Sequence, residues 1–262
     1  MYKRLARELG RRLANYLNQP RNHYQRMDVV DEDHFRAMLR PGDVILIEGD
    51  RRLSTAIKYL TQSTWSHACM YIGDILDAKN GDDQLELLEA DLEHGVIAVP
   101  LRKYLNHNTR IARPVGLAHT DRLRLVEFVV ARLGRRYDLK NFLDLVRYLL
   151  PQPPVPSRFR RRLLAFGSGD PTQAICSTLL AQAFQAIRYP ILPRRGTEPA
   201  GEEDEILRAR HYSHFTPRDF DLSPYFAIIK PALETGFNYR TLKWERDTLA
   251  PSDKVLASAE SE

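Results

Sequence analysis

Between Thr172 and Phe184 the chain reads Thr-Gln-Ala-Ile-Cys-Ser-Thr-Leu-Leu-Ala-Gln-Ala-Phe, and this stretch constrains the fold more than any other. Ile175, Leu179, Ala183 and Ile187 recur every four residues, the spacing of one buried helix face. Ser168, Gly169, Asp170 and Pro171 supply turn and start signals, with Thr172 as the predicted N-cap. A helix of this kind needs an apolar surface to lie on, and it carries Cys176 in its first turn. Unpaired amide N–H groups and the positive end of the helix dipole there favour thiolate over thiol. The Cys176 N–H could also hold an oxyanion. The other reading of this stretch, a buried cysteine acting as a small apolar residue, stays open at this point.

The surface on which such a helix could lie is written in the first half of the chain as short apolar runs. Asp31 to Phe35 opens a short helix that stops at Leu39-Arg40-Pro41-Gly42-Asp43, and the Pro-Gly turn feeds a strand over Val44–Ile47. Ser54–Leu60 reads as a helix. A strand follows over Ser66–Gly73, with His67, Cys69 and Tyr71 on one face and Ala68, Met70 and Ile72 on the other. Leu85–Ala90 and Val96–Val99, separated by turns, extend what reads as an antiparallel meander, to which Arg110–Pro114 adds a strand. The second half is more helical, with helices expected at Asp121–Leu133 and Leu139–Leu150. The proline-rich stretch 151–156 reads as an extended connection. The cluster Arg158, Arg160, Arg161 and Arg162 reads as a solvated loop or helix face, with phosphate or acidic lipid as the alternative contact. Residues 193–210 read as a polar loop near the site, Phe215–Phe220 as a short capped helix and Phe226–Ile229 as a last strand.

The expected organisation is a basic amphipathic helix over 1–27, one domain over 28–248 and a disordered polar tail over 249–262. In the first segment Leu5, Leu9, Leu13 and Leu17 form a stripe flanked by Lys3, Arg4, Arg7, Arg11 and Arg12. Such a helix either packs its leucines on the domain, or meets an anionic membrane surface or an acidic partner. A chain of 262 residues can bury a substantial core, and its formal charge of +5 specifies no anionic partner. No apolar run approaches the roughly 20 residues of a membrane span. The N-terminus lacks the apolar core of a secretory signal. Two cysteines, Cys69 and Cys176, make no disulfide framework. The expected setting is therefore the cytoplasm, with peripheral contact at the inner face of the membrane through residues 1–27 left open. The arginine runs lack the aromatic interleaving of a nucleic-acid binder, so no nucleic-acid partner is expected. No CxxC, HxxxH or HExxH spacing and no Gly-rich phosphate loop is present, so neither a metal nor another cofactor is expected.

A thiolate nucleophile needs a base beside the sulfur and a third group to orient that base. His67 is the candidate base, opening a strand just after Trp65 and Ser66, which could shape a cleft. The orienting group should come from the next strand, Leu85-Glu86-Leu87-Leu88-Glu89-Ala90-Asp91. Glu89 lies there among apolar residues, where a carboxylate is costly without a partner. Asp91, on the same face, and Glu86 are its rivals. Cys69 is a rival nucleophile, but it sits mid-strand without a helix terminus to lower its pKa. A Cys69–Cys176 disulfide is conceivable and is not the preferred reading.

Taken in order, Pro41-Gly42-Asp43-Val44, Ser66-His67-Ala68, Leu88-Glu89-Ala90 with Gly95-Val96, Tyr137-Asp138 and Cys176-Ser177 resemble a family. It is the circularly permuted NlpC-type papain-like cysteine hydrolases, the YiiX/YebB-like group, with lecithin–retinol acyltransferase a distant relative. The resemblance spans roughly residues 38–230. It implies an α+β, circularly permuted papain-like fold, a small antiparallel sheet packed by helices that include the Cys helix. It implies Cys176 as nucleophile, His67 as general base and then acid, and Glu89 as the orienting acid. It gives Tyr137 and Asp138 a structural role first. The implied activity is thiol-dependent hydrolysis of an amide-containing substrate, a peptide or cell-wall fragment, through an acyl-enzyme. Lipid acyl hydrolysis or transfer at a membrane surface is the alternative within the same chemistry, and a non-catalytic binding module is the alternative outside it.

Overall fold

Val44–Ile47 (β1) is the inner strand on which the other elements are laid, and all four of its side chains are buried. The computed structural model describes residues 19, 24, 31–81, 83–91, 94–135, 175–192, 194–195, 207–208 and 210–231. The expectations for 1–27, 139–150, 151–156, 158–162 and 249–262, for Tyr137 and Asp138, for Thr172 and for most of 193–210 lie outside the described residues.

Ahead of β1, helix α1 (Glu32–Met38) is N-capped by Asp31, whose side chain accepts from the His34 N–H. The chain turns at Pro41-Gly42. Gly42 has φ +92°, and a Cβ there would come 3.3 Å from the Leu125 side chain, so a side chain would be both strained and crowded. The turn is tied down by the Gly42 N–H donating to the Tyr71 carbonyl at 2.8 Å.

Helix α2 (Arg52–Thr61) leads to β2 (His67–Tyr71), which pairs antiparallel with β1, Ile47 opposite His67 and Val44 opposite Met70. After the two-residue β3 (Lys79–Asn80), β4 (Asp83–Asp91) pairs with β2 on one side and β5 (Gly95–Pro100) on the other. β6 (Thr109–Pro114) departs from the expected meander. It crosses back to the free edge of β1, and β9 (Phe226–Ile229) then covers β6. The reason is burial: β1 is apolar at every position and needs a strand on both edges and a layer on both faces.

The two faces are filled differently. On one, Val44, Leu46, Ala68, Met70 and Leu88 meet helix α3 (His119–Val130) and helix α4 (Ile175–Ala186). Leu179, Leu180, Ala183 and Phe184 of α4 are fully buried there, as the four-residue repeat predicts for Leu179 and Ala183. Each large apolar side chain so buried contributes about 2 kcal/mol. Phe184 also meets Phe220 of helix α5 (Pro217–Leu222) and Phe226 of β9, at centroid distances of 6.0 and 5.1 Å. On the other face, Ile45, Ile47, Cys69, Tyr71 and Leu87 meet Phe35 and Leu39 from the N-terminal side and Leu101 and Tyr104 of a 3-10 turn (Leu101–Tyr104). The alternation foreseen for β2 is the one observed. The remaining strands are the short pair β7 (Arg194–Arg195) and β8 (Leu207–Arg208). Among the described residues no helix is long and apolar enough to cross a membrane.

Candidate active site

Cys176 is the second residue of α4, and this helix packs against β2 and β4 where His67 opens its strand. The sulfur accepts hydrogen bonds from the backbone N–H groups of Ala68 and Ser177 and interacts with the His67 ring. Ser177 is itself locked by donating its hydroxyl to the Phe215 carbonyl at 2.7 Å. Burial pushes the Cys176 thiol up; the charge and hydrogen bond of His67, joined by those two N–H groups, overcome this and bring it below its ordinary value.

The Nε2 atom of His67 lies 3.1 Å from Oε2 of Glu89. With Nε2 so engaged, Nδ1 is the ring nitrogen left for the sulfur. Burial alone would push the imidazole down, but the thiolate of Cys176 and the carboxylate of Glu89 raise it to about 10. The His67 side chain keeps 24% of its surface exposed, so the site opens to solvent on its side. Glu89 is 2% exposed. Burial pushes its carboxyl up, and the bond and charge of His67 together with those of Lys103 outweigh this and hold it at about 2. Lys103 donates to Oε1 and the Tyr104 hydroxyl donates to Oε2.

The rivals have other attachments. Asp91 accepts from the backbone N–H of His94 at 2.8 Å and meets the His94 ring at 2.9 Å. Glu86 sits where the pairing of β4 with β5 shifts register, and both its oxygens accept from Nε of Arg36, at 2.9 and 3.1 Å. Cys69 is fully buried, and burial followed by the nearby Glu89 charge pushes its thiol well up. Both cysteines are free. Trp65 and Ser66, offered by the sequence as cleft formers, are both buried: Trp65 in the apolar core, with the Arg110 guanidinium 5.0 Å over its ring, and Ser66 accepting the Gly49 N–H at 2.9 Å. They lead into β2. Among the described residues no group of three or more His, Cys, Asp and Glu side chains is gathered so as to hold a metal ion.

The sequence reasoning missed Lys103 and Tyr104. The only signal was their place, directly after a strand that pairs with the strand of Glu89. A 3-10 turn carries no register from which a contact could be counted.

The structure thus gathers a helix-mounted cysteine, a strand histidine and a carboxylate bonded to that histidine. Here the histidine strand precedes the cysteine helix, the reverse of the usual papain order. Residues 38–146 match the family described as permuted papain-like amidase enzymes, YaeF/YiiX, the C92 family. That segment, which is less than half of the chain, is similar to the YiiX-like permuted papain family, whose described activity is that of an amidase. The matched span contains His67 and Glu89, while Cys176 lies beyond it. Among solved structures, the metalloprotein YiiX of Escherichia coli O157:H7 is 16% identical, with 72% of this chain and 96% of that chain covered and a TM-score of 0.43. No curated protein matches the chain at a significant level.

Proposed function

We propose that this protein is a cysteine hydrolase of the amidase or peptidase class in which Cys176 is the nucleophile, His67 the proton carrier and Glu89 the group that orients His67. The observation that carries the reading is the chain of contacts from the buried Cys176 sulfur through the His67 ring to the buried Glu89, with the sulfur in the first turn of α4. The thiolate attacks the carbonyl carbon of an amide and the C=O electrons move onto oxygen. As the C–N bond breaks, the imidazolium of His67 gives its proton to the leaving amine. Neutral His67 then takes a proton from water, whose oxygen attacks the thioester and releases the acid and the thiolate. Glu89 holds the ring throughout and balances the imidazolium charge. An amide fits better than a lipid ester because the matched family is one of amidases; a peptide or cell-wall fragment has the required bond.

The test is the pH dependence of Cys176 alkylation by iodoacetamide, read by mass spectrometry on wild type and His67→Ala. The expected apparent pKa in the wild type lies below the roughly 8.5 of a free thiol, and His67→Ala raises it to that value or above. An inert Cys176, or one equally reactive without His67, would overturn the reading in favour of a binding module. A split at high pH is also expected. Between the lowered Cys176 pKa and about 10 the pair is thiolate and imidazolium. Above about 10 the imidazolium loses its proton. Amide turnover, which needs that proton for the leaving amine, falls there. Alkylation, which needs only the thiolate, does not.

A further inference from the structure

The Glu89 carboxylate has more attached to it than an orienting acid requires. His67 uses Oε2. Tyr104 donates to that same oxygen, and Lys103 donates to Oε1. The two extra donors are consecutive residues of the 3-10 turn that leaves β5. Tyr104 is 6% exposed and its ring lies tilted against His67, 5.9 Å between centroids. The Tyr104 ring also meets His107 edge-on at 5.7 Å. The Lys103 side chain is 39% exposed, so its stem runs in from solvent and only the ammonium reaches the carboxylate.

Charge explains why a lysine belongs there. A thiolate, an imidazolium and a carboxylate in one buried cluster sum to one negative charge, and an uncompensated buried charge is costly. The ammonium brings the sum to zero. The ionisable groups around Glu89 come from every packed element: His67 and Cys69 from β2, Cys176 from α4, Lys103 and Tyr104 from the turn, and beyond Tyr104 His107, whose Nε2 lies 3.7 Å from Asp50.

We propose that Lys103 and Tyr104 are positioning residues that together grip both oxygens of Glu89, Lys103 balancing its charge and Tyr104 sharing Oε2 with His67 Nε2. This deepens the proposed function and rests on its assignment of His67 and Glu89. Neither residue touches the reacting atoms. Lys103 acts on the charge of the carboxylate and Tyr104 on how much of Oε2 is left for the imidazole.

The experiment is an NMR titration of the His67 ring in the full chain, in the Cys176→Ala background, so that the sulfur contributes nothing. Lys103→Met keeps the aliphatic stem and removes the charge. The His67 proton affinity is expected to rise about threefold or more, because the carboxylate then acts on the imidazolium unopposed, and Lys103→Arg is expected to restore it. Tyr104→Phe keeps the ring and removes the donor. The proton on His67 Nε2 is expected to move downfield as its shared oxygen becomes wholly its own. A titration unmoved by Lys103→Met overturns the role of Lys103, since a residue that only packs would leave it unmoved. An Nε2 proton unmoved by Tyr104→Phe overturns that of Tyr104. Alkylation of Cys176 in the wild type is measured alongside. If His67 responds as expected while Cys176 behaves as an ordinary thiol, the grip on Glu89 stands and the hydrolase reading fails.

Discussion

Asp43, at the entry to the sheet, and Glu89, within it, are both buried, at 1% and 2% exposure, yet their partners could hardly differ more. Asp43, just before β1, is bound to Arg113 of β6 by two parallel bonds, Nε to Oδ1 at 2.9 Å and Nη2 to Oδ2 at 2.7 Å, and also accepts the Arg40 N–H at 2.9 Å. Its partner is a planar guanidinium that never gives up its proton, so this pair can only join strands. Glu89, in β4, is bonded to an imidazole, which can gain and lose a proton, and that imidazole touches a thiol. Burial alone therefore does not set Glu89 apart from Asp43. What sets it apart is a partner whose own charge can change, beside a thiol.

The contrast can be broken at either end. The largest effect is expected from Arg113→Met, which leaves Asp43 buried and uncompensated. It should cost about 3 to 5 kcal/mol of stability, measured by urea unfolding, with Cys176 in the remaining folded protein as reactive as before. A stable Arg113→Met protein would show that the strand-joining role is misassigned. Glu89→Gln should do the reverse. The amide can still accept from His67, as asparagine does in other thiol sites, but it no longer holds the imidazolium charge. Turnover and Cys176 alkylation near pH 6 should fall about tenfold to a hundredfold, with a smaller loss of stability than Arg113→Met gives, because the half-exposed Lys103 can turn its ammonium to solvent. If Glu89→Gln instead unfolds the protein and spares the thiol, the two carboxylates are alike and the comparison is void. The smallest effect is expected from Cys69→Ala, a loss of about 1 kcal/mol from a filled core with no change in Cys176 alkylation. A slowed alkylation there would bring Cys69 back as a participant.

Much of the sheet was legible because the strands alternate or run apolar over lengths that only a sheet accommodates. β1 and β9 fall where the residue pattern put them, and the faces of β2 follow parity. The return of β6 to β1 was not legible, since nothing in Arg110–Pro114 states which edge it will take. His67 could be picked out because a polar residue opened a core strand, and Glu89 because a carboxylate stood among leucines. The sequence left Glu89, Asp91 and Glu86 as rivals. Only three-dimensional neighbours, His94 for Asp91 and Arg36 for Glu86, distinguish them. Lys103 and Tyr104 were hidden for the same reason: their contact depends on where a turn swings, and the turn has no periodicity to read.

The spacing of these contacts along the chain bears on how the site comes together during folding. His67 meets Glu89 across 22 residues, and Lys103 and Tyr104 meet it across 14 and 15. Cys176 arrives from about 110 residues after His67. Closing the longer loop costs about 1.4 kcal/mol more in chain entropy than closing the 22-residue one. The histidine and its carboxylate can thus be assembled by a local hairpin before the cysteine helix docks. A chain emerging in the permuted order keeps its sulfur an ordinary thiol until the last long-range contact is made, and pulse-labelling of Cys176 during refolding would time that step.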